Sequence, residues 1–240
     1  MKKALIMNKF ILVVLLSCGL CNQAFANNQS FQKFIPKGFK LTETHCQADF
    51  NKDGKKDCVL LIKDTKKSAW EKTYSGDMVD RNRRGIVILF KTNQGYQKVL
   101  ENKALFASEN EDGGVYFAPE LEIEAEGNKL IFYYGHGRYG SWQYLFDYRT
   151  IDNDKDFYLI GYDLSSNHGP YIEYTHSVNF LTHKFRHQEN MNTNQENDVP
   201  NFKTTWHTLS KAPIQKLSQI DDIDDVGSRL SEILYHIKTQ

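Results

Sequence analysis

The chain has 240 residues, and its 30 basic and 30 acidic side chains cancel when histidine is neutral. Nothing in that balance favours a nucleic acid or an anionic membrane as partner. The length suffices for one domain with a sizeable core.

Residues 1–26 read as a secretory signal. Lys2, Lys3 and Lys9 supply the positive end, Phe10 to Leu16 the apolar run, and Ala24-Phe25-Ala26 an A-x-A cleavage pattern. The run is too short to span a bilayer as a helix. Leu15-Leu16-Ser17-Cys18 loosely resembles a lipobox, so lipid anchoring at Cys18 is the rival to a free periplasmic or secreted protein. Cleavage after Ala26 leaves residues 27–240 as a single β-rich domain. The signal takes three lysines and no acids, so 27 basic residues face 30 acidic ones. Cys18 and Cys21 leave with it, and in an oxidising compartment the remaining Cys46 and Cys58 are expected to pair.

Between those cysteines lies the most informative stretch. Asp49, Asn51 and Asp53 alternate, Gly54 follows, and Asp57 closes the set. This is the ligand order of a calcium loop: side chains at positions one, three and five converge, Gly54 permits a sharp turn, and the main-chain carbonyl of Lys55 faces inward at position seven. Asp57 supplies position nine, directly or through water. The loop is not an EF-hand, because position twelve is Leu60 instead of a bidentate Glu. Lys52, Lys55 and Lys56 are expected to point outward. A metal-free Asx-rich hairpin is the alternative.

Beyond the loop most of the chain reads as strand. Val59–Ile62 and Gly85–Phe90 are short apolar runs rich in branched residues, and Leu121–Ala125 alternates strictly. Glu126-Gly127-Asn128 is a turn before Lys129–Tyr134. Ser141–Arg149 places Trp142, Tyr144, Phe146 and Tyr148 on one face, which predicts core. Asp152–Asp156 is a tight turn before Phe157–Tyr162, and Tyr171–Tyr174 with Ser177–Phe185 reads as a further pair. Short connections argue for an antiparallel meander or sandwich-like sheet. The polar stretch Asp64–Arg84 is long for a connection, and Gln188–Asn201 reads as a loop. From Ile214 to Ile237 the apolar period becomes three to four residues, predicting a C-terminal amphipathic helix or a helix pair divided at Gly227.

Asp49-Phe-Asn-Lys-Asp-Gly-Lys-Lys-Asp57, followed by Val59-Leu-Leu-Ile62, resembles the loop-plus-strand unit of integrin-α-like FG-GAP and VCBS-type repeats. The resemblance covers about fifteen residues in one copy. It implies a Ca²⁺ ion held by Asp49, Asn51, Asp53, Lys55 (main chain) and Asp57, in a domain serving binding or scaffolding.

Other chemistry is weaker. Gly135-His-Gly137-Arg-Tyr-Gly140 satisfies G-x-G-x-x-G, but a strand follows it where a phosphate site needs a helix. Asp152, Asp154 and Asp156 alternate without the glycine. His183 and His187, with Phe185 between them, could project together and invite a metal, but no third ligand of suitable spacing stands nearby and they read as surface histidines. The stretch holding Trp70, Tyr74, Arg81, Arg83 and Arg84 mixes aromatics with arginines and is the candidate partner contact. The reading is therefore an exported, calcium-stabilised, non-catalytic binding protein, of inhibitor or immunity type, for a protein or cell-envelope partner. The alternative is a periplasmic hydrolase acting on cell-wall or carbohydrate material, with His136 or His168 as base.

Overall fold

Two runs with no polar interruption become the central strands of a four-stranded antiparallel sheet. Strand β2 (Asp57–Asp64) is buried at every position, and β5 (Arg84–Thr92) is buried from Arg84 to Phe90. Both faces of such a strand are covered, so the run shows no alternation. Around them lie β1 (Phe39–Ala48) and β6 (Gly95–Phe106), in the order β1-β2-β5-β6. The coordinates are a computed structural model that describes residues 31–111, 117–192, 199–211 and 214–238. The secretory signal and Cys18 lie outside the described residues. The chain divides at Phe34; of the first unit only residues 31–34 are described, with a short 3-10 turn at Gln32–Phe34, and the second, Ile35–Gln240, holds both sheets and the helix.

A seven-stranded antiparallel meander follows. Its strands are β7 (Glu120–Glu126), β8 (Lys129–Gly135), β9 (Gly140–Ile151), β10 (Asp154–His168), β11 (Tyr171–Asn179), β12 (Lys184–Asn190) and β13 (Phe202–Thr208), each paired with the next. The two sheets meet where Ala48 bridges Gly127 and the amide of Asp49 donates to the Gly127 carbonyl at 2.7 Å. Their inner faces share one core. Phe106 stands edge-on to Phe132 at 4.9 Å, and Phe90 to Tyr148 at 5.0 Å. The expected aromatic row on β9 is core: Tyr144 and Phe146 are buried, and Trp142 and Tyr148 pack against them.

The mainly β, antiparallel class with one C-terminal helix is as expected. Several boundaries are not. Tyr171–Asn179 is a single strand, and Phe185 belongs to the next one, because the chain turns at Phe180–His183. The turn before β10 shrinks to Asp152 and Asn153, both with positive φ (50° and 64°). Two such residues make the primed turn that suits the twist of a hairpin. Asp154 and Asp156 instead hold the segment after β13, through Lys216 and Ser218. Gln188–Asn190, expected in a loop, completes β12. Asp64–Arg84 folds into a 3-10 turn at Lys67–Ala69 and a two-stranded arm, β3 (Trp70–Lys72) with β4 (Met78–Asp80). The tail forms a 3-10 turn at Leu217–Gln219 and one uninterrupted helix, α1 (Ile223–Lys238), running through Gly227.

Candidate functional sites

The acidic loop is the tip of the β1–β2 hairpin, and a Cys46–Cys58 disulfide staples its base. Lys52 (φ 60°) and Gly54 (φ 81°) take left-handed conformations, curling the chain inward. The Asp49 carboxylate accepts from the amides of Asp53 and Gly54, both at 2.9 Å. Asn51 Oδ1 accepts from the Asp53 amide at 3.1 Å, and Asp53 Oδ1 from the Lys55 amide at 2.9 Å. Lys55 does not point away: its ammonium lies 3.2 Å from Asp53 Oδ2. Desolvation opposes ionisation of Asp53, yet the hydrogen bonds from the Lys55 amide and ammonium outweigh it and hold this carboxyl below the usual range.

Asp57 stands apart from that turn. It is fully buried, with Oδ2 accepting from the Phe50 amide and Oδ1 from the Lys91 amide, both at 2.9 Å. Burial pushes its carboxyl up, and the charge of Asp53 adds to the effect. Phe50, between the first two acidic-loop positions, is buried and packs edge-on to Phe157 at 4.9 Å. One side chain of the loop therefore plugs into the core while its neighbours face solvent.

Every donor offered by Asp49, Asn51, Asp53 and the Lys55 carbonyl is an oxygen, as a hard divalent ion requires. Carboxylate oxygens that accept one amide keep further lone pairs, so the donor chemistry fits calcium. Among the described residues, no three His, Cys, Asp or Glu side chains are gathered closely enough to form a metal cluster.

The arginine-rich arm divides into two kinds of residue. Trp70 is 48% and Tyr74 fully exposed at the arm. The guanidinium groups turn back to the protein. Arg83 donates to the Ala104 carbonyl at 2.7 Å and to Asp222 at 2.6 Å, while Arg84 is buried and donates to the Ala107 carbonyl at 2.8 Å. Arg81 lies 3.5 Å from Glu71 and 3.8 Å from Glu111. Beneath them Lys63 is buried, its ammonium 3.2 Å from Asp80 and 2.5 Å from Glu109. These charges clamp the arm to the small sheet.

His187 pairs across the sheet with His176, not His183. The two occupy opposed positions on β12 and β11, are buried, and have ring centroids 5.1 Å apart. His183 sits in the preceding turn (φ 54°), where strand alternation does not reach. His136 opens the glycine-rich hairpin loop, with Nε2 3.1 Å from the Phe117 carbonyl and Tyr139 5.0 Å away. His168 ends β10 opposite Tyr171.

The outer face of the seven-stranded sheet carries a feature that sequence spacing does not display. Register aligns Glu122, Tyr133, Gln143, Asp163, Ser177, Arg186 and Trp206 in one row, one residue from each strand. No aliphatic side chain enters the row. Gln143 donates to Asp163 at 2.9 Å. Arg186 Nε is buried without a hydrogen-bond partner among the described residues, and Trp206 is 64% exposed. An open hollow of about 480 Å³ lies along Tyr133, Gln143, Asp163 and Arg186. A second hollow continues from Arg186 to Trp206.

Among the described residues no helix is long and apolar enough to cross a membrane. In comparisons with known proteins, no family model matches the chain, and no curated protein or solved structure is found similar to it.

Proposed function

We propose that this chain is an exported, calcium-stabilised, non-catalytic binding protein that engages a protein partner in the periplasm through the outer face of its large sheet. The row from Glu122 to Trp206 carries this reading. Seven strands about 4.8 Å apart give a face about 29 Å wide. That width suits a standard interface, which buries about 800 Å² per partner. Tyr, Trp and Arg are the residue types on which binding energy concentrates. Arg186 lines both hollows of this face, beside Asp163 in one and Trp206 in the other. An inhibitor or immunity role fits such a face.

Calcium belongs to the same proposal. The ion would be held by Asp49, Asn51, Asp53, the main-chain carbonyl of Lys55 and Asp57, and would supply charge neutralisation that locks the hairpin tip. Asp57 would then serve the ion and the two amides together.

Capture from periplasmic extract tests the binding role. The intact protein should recover one stoichiometric partner that the Arg186→Glu/Trp206→Ala variant, folded to the same melting temperature, fails to retain. Recovery of the same partner by both proteins removes the face from the proposal. For the ion, chelator should lower the melting temperature and added calcium restore it; superimposable melts reject the metal.

A further inference from the structure

A partly open slot lies between α1 and the large sheet, with a volume of about 200 Å³. Its floor is apolar and buried: Leu159 from β10, with Val226 and Leu234 from α1. Phe180 and Leu230 line it further. The rim is different. Arg229 and Gln215 are exposed lining residues, His183 is half-exposed beside them, and no acidic side chain lines the slot among the described residues.

We propose that this slot takes a single acyl chain whose anionic head rests on Arg229. The reasoning is charge and size complementarity. A dry apolar cavity of about 150 Å³ accepts a benzene ring, so one of 200 Å³ takes a chain of about six to eight carbons. A longer chain extends along exposed Ile233 toward solvent. An apolar floor with one charged group at the mouth is the arrangement that orients an amphiphile, tail inward. Guanidinium binds a carboxylate or phosphate through paired hydrogen bonds, and the adjoining apolar wall strengthens them by limiting water. A carboxylate from a fatty acid and a phosphate from a phospholipid share this chemistry.

Titration of the intact protein with octanoate, octyl phosphate and 1-octanol, followed by Leu and Ile methyl NMR, tests the slot. Saturable shifts confined to Leu159, Leu230, Ile233, Leu234 and Ile237, with the anions binding at least tenfold tighter than octanol, are expected. Arg229→Glu should weaken octanoate at least tenfold and leave octanol unchanged; this exposed substitution keeps the fold, which the unshifted spectrum of the free variant verifies. Preference for octanoate assigns a fatty acid and preference for octyl phosphate a phospholipid, and either supports the slot. Equal affinity for octanol and the anions, shifts scattered elsewhere, or no saturation below millimolar concentration overturns it. Retention of the periplasmic partner by Arg229→Glu keeps this test separate from that of the outer face.

Discussion

The hydroxyl of Tyr144 occupies the space in which a side chain at Gly227 would begin. Tyr144 is buried on β9, so it cannot swing aside, and α1 approaches the sheet closely only because position 227 lacks a Cβ. Glycine inside a helix is here a packing device, and the helix does not break.

Gly227→Ala is therefore expected to destabilise. Helix propensity alone favours alanine by about 1 kcal/mol, but forced overpacking costs about 1–3 kcal/mol, so a small net loss is expected in urea denaturation. In a Tyr144→Phe background the hydroxyl is gone and the same change should become neutral or stabilising. Equal effects in both backgrounds would refute the contact.

Asp57 and its two amides set the second expectation. Asp57→Ala strands the Phe50 and Lys91 amides inside the protein, at about 1–3 kcal/mol for each unpaired group. This loss should persist in chelator. Asp49→Ala, at the exposed turn, should lose stability mainly when calcium is present. Denaturation midpoints of both variants with and without calcium separate the two roles.

The clamp under the arm sets a pH dependence. Burial opposes ionisation of Asp80, but hydrogen bonds from the amide and side chain of Asn82 and from Lys63 outweigh it and hold the carboxyl below its ordinary value of 3.8. Because the folded state has the lower pKa, the unfolded chain takes the proton first. The Asp80 contribution is thus complete above the ordinary value and is lost as pH falls through the folded one. Asp80→Asn should flatten the stability profile between about pH 5 and pH 2. Asp80→Ala, which leaves the buried Lys63 with Glu109 alone, should cost about 3 kcal/mol near neutrality.

Removing the disulfide by Cys46→Ser with Cys58→Ala should lower stability by about 3 kcal/mol, the chain-entropy value for a loop of this size. Reductant should reproduce the loss in the native chain and leave the double variant unaffected. Denaturation of the native chain that is insensitive to reductant would contradict this.

Strands β2, β5, β7, β8 and β9 were legible in the sequence because a buried or half-buried strand writes its environment into consecutive side chains, either as an apolar run or as strict alternation. The cysteine pair and the turn at Glu126–Asn128 were legible for similarly local reasons. Strands β1, β6 and β13 were not. They are exposed or half-buried at most positions, with polar residues on both faces, and their extended state comes from the hydrogen bonds a neighbouring strand offers. Likewise Arg83 and Arg84 look like surface residues until Asp222 and the Ala107 carbonyl are brought to them. Local chemistry thus determined the class, the staple and the acidic loop. The outer row, the Lys63 clamp, the buried His176–His187 pair and the meaning of Gly227 depend on register and packing between distant segments, which no short window of side chains encodes.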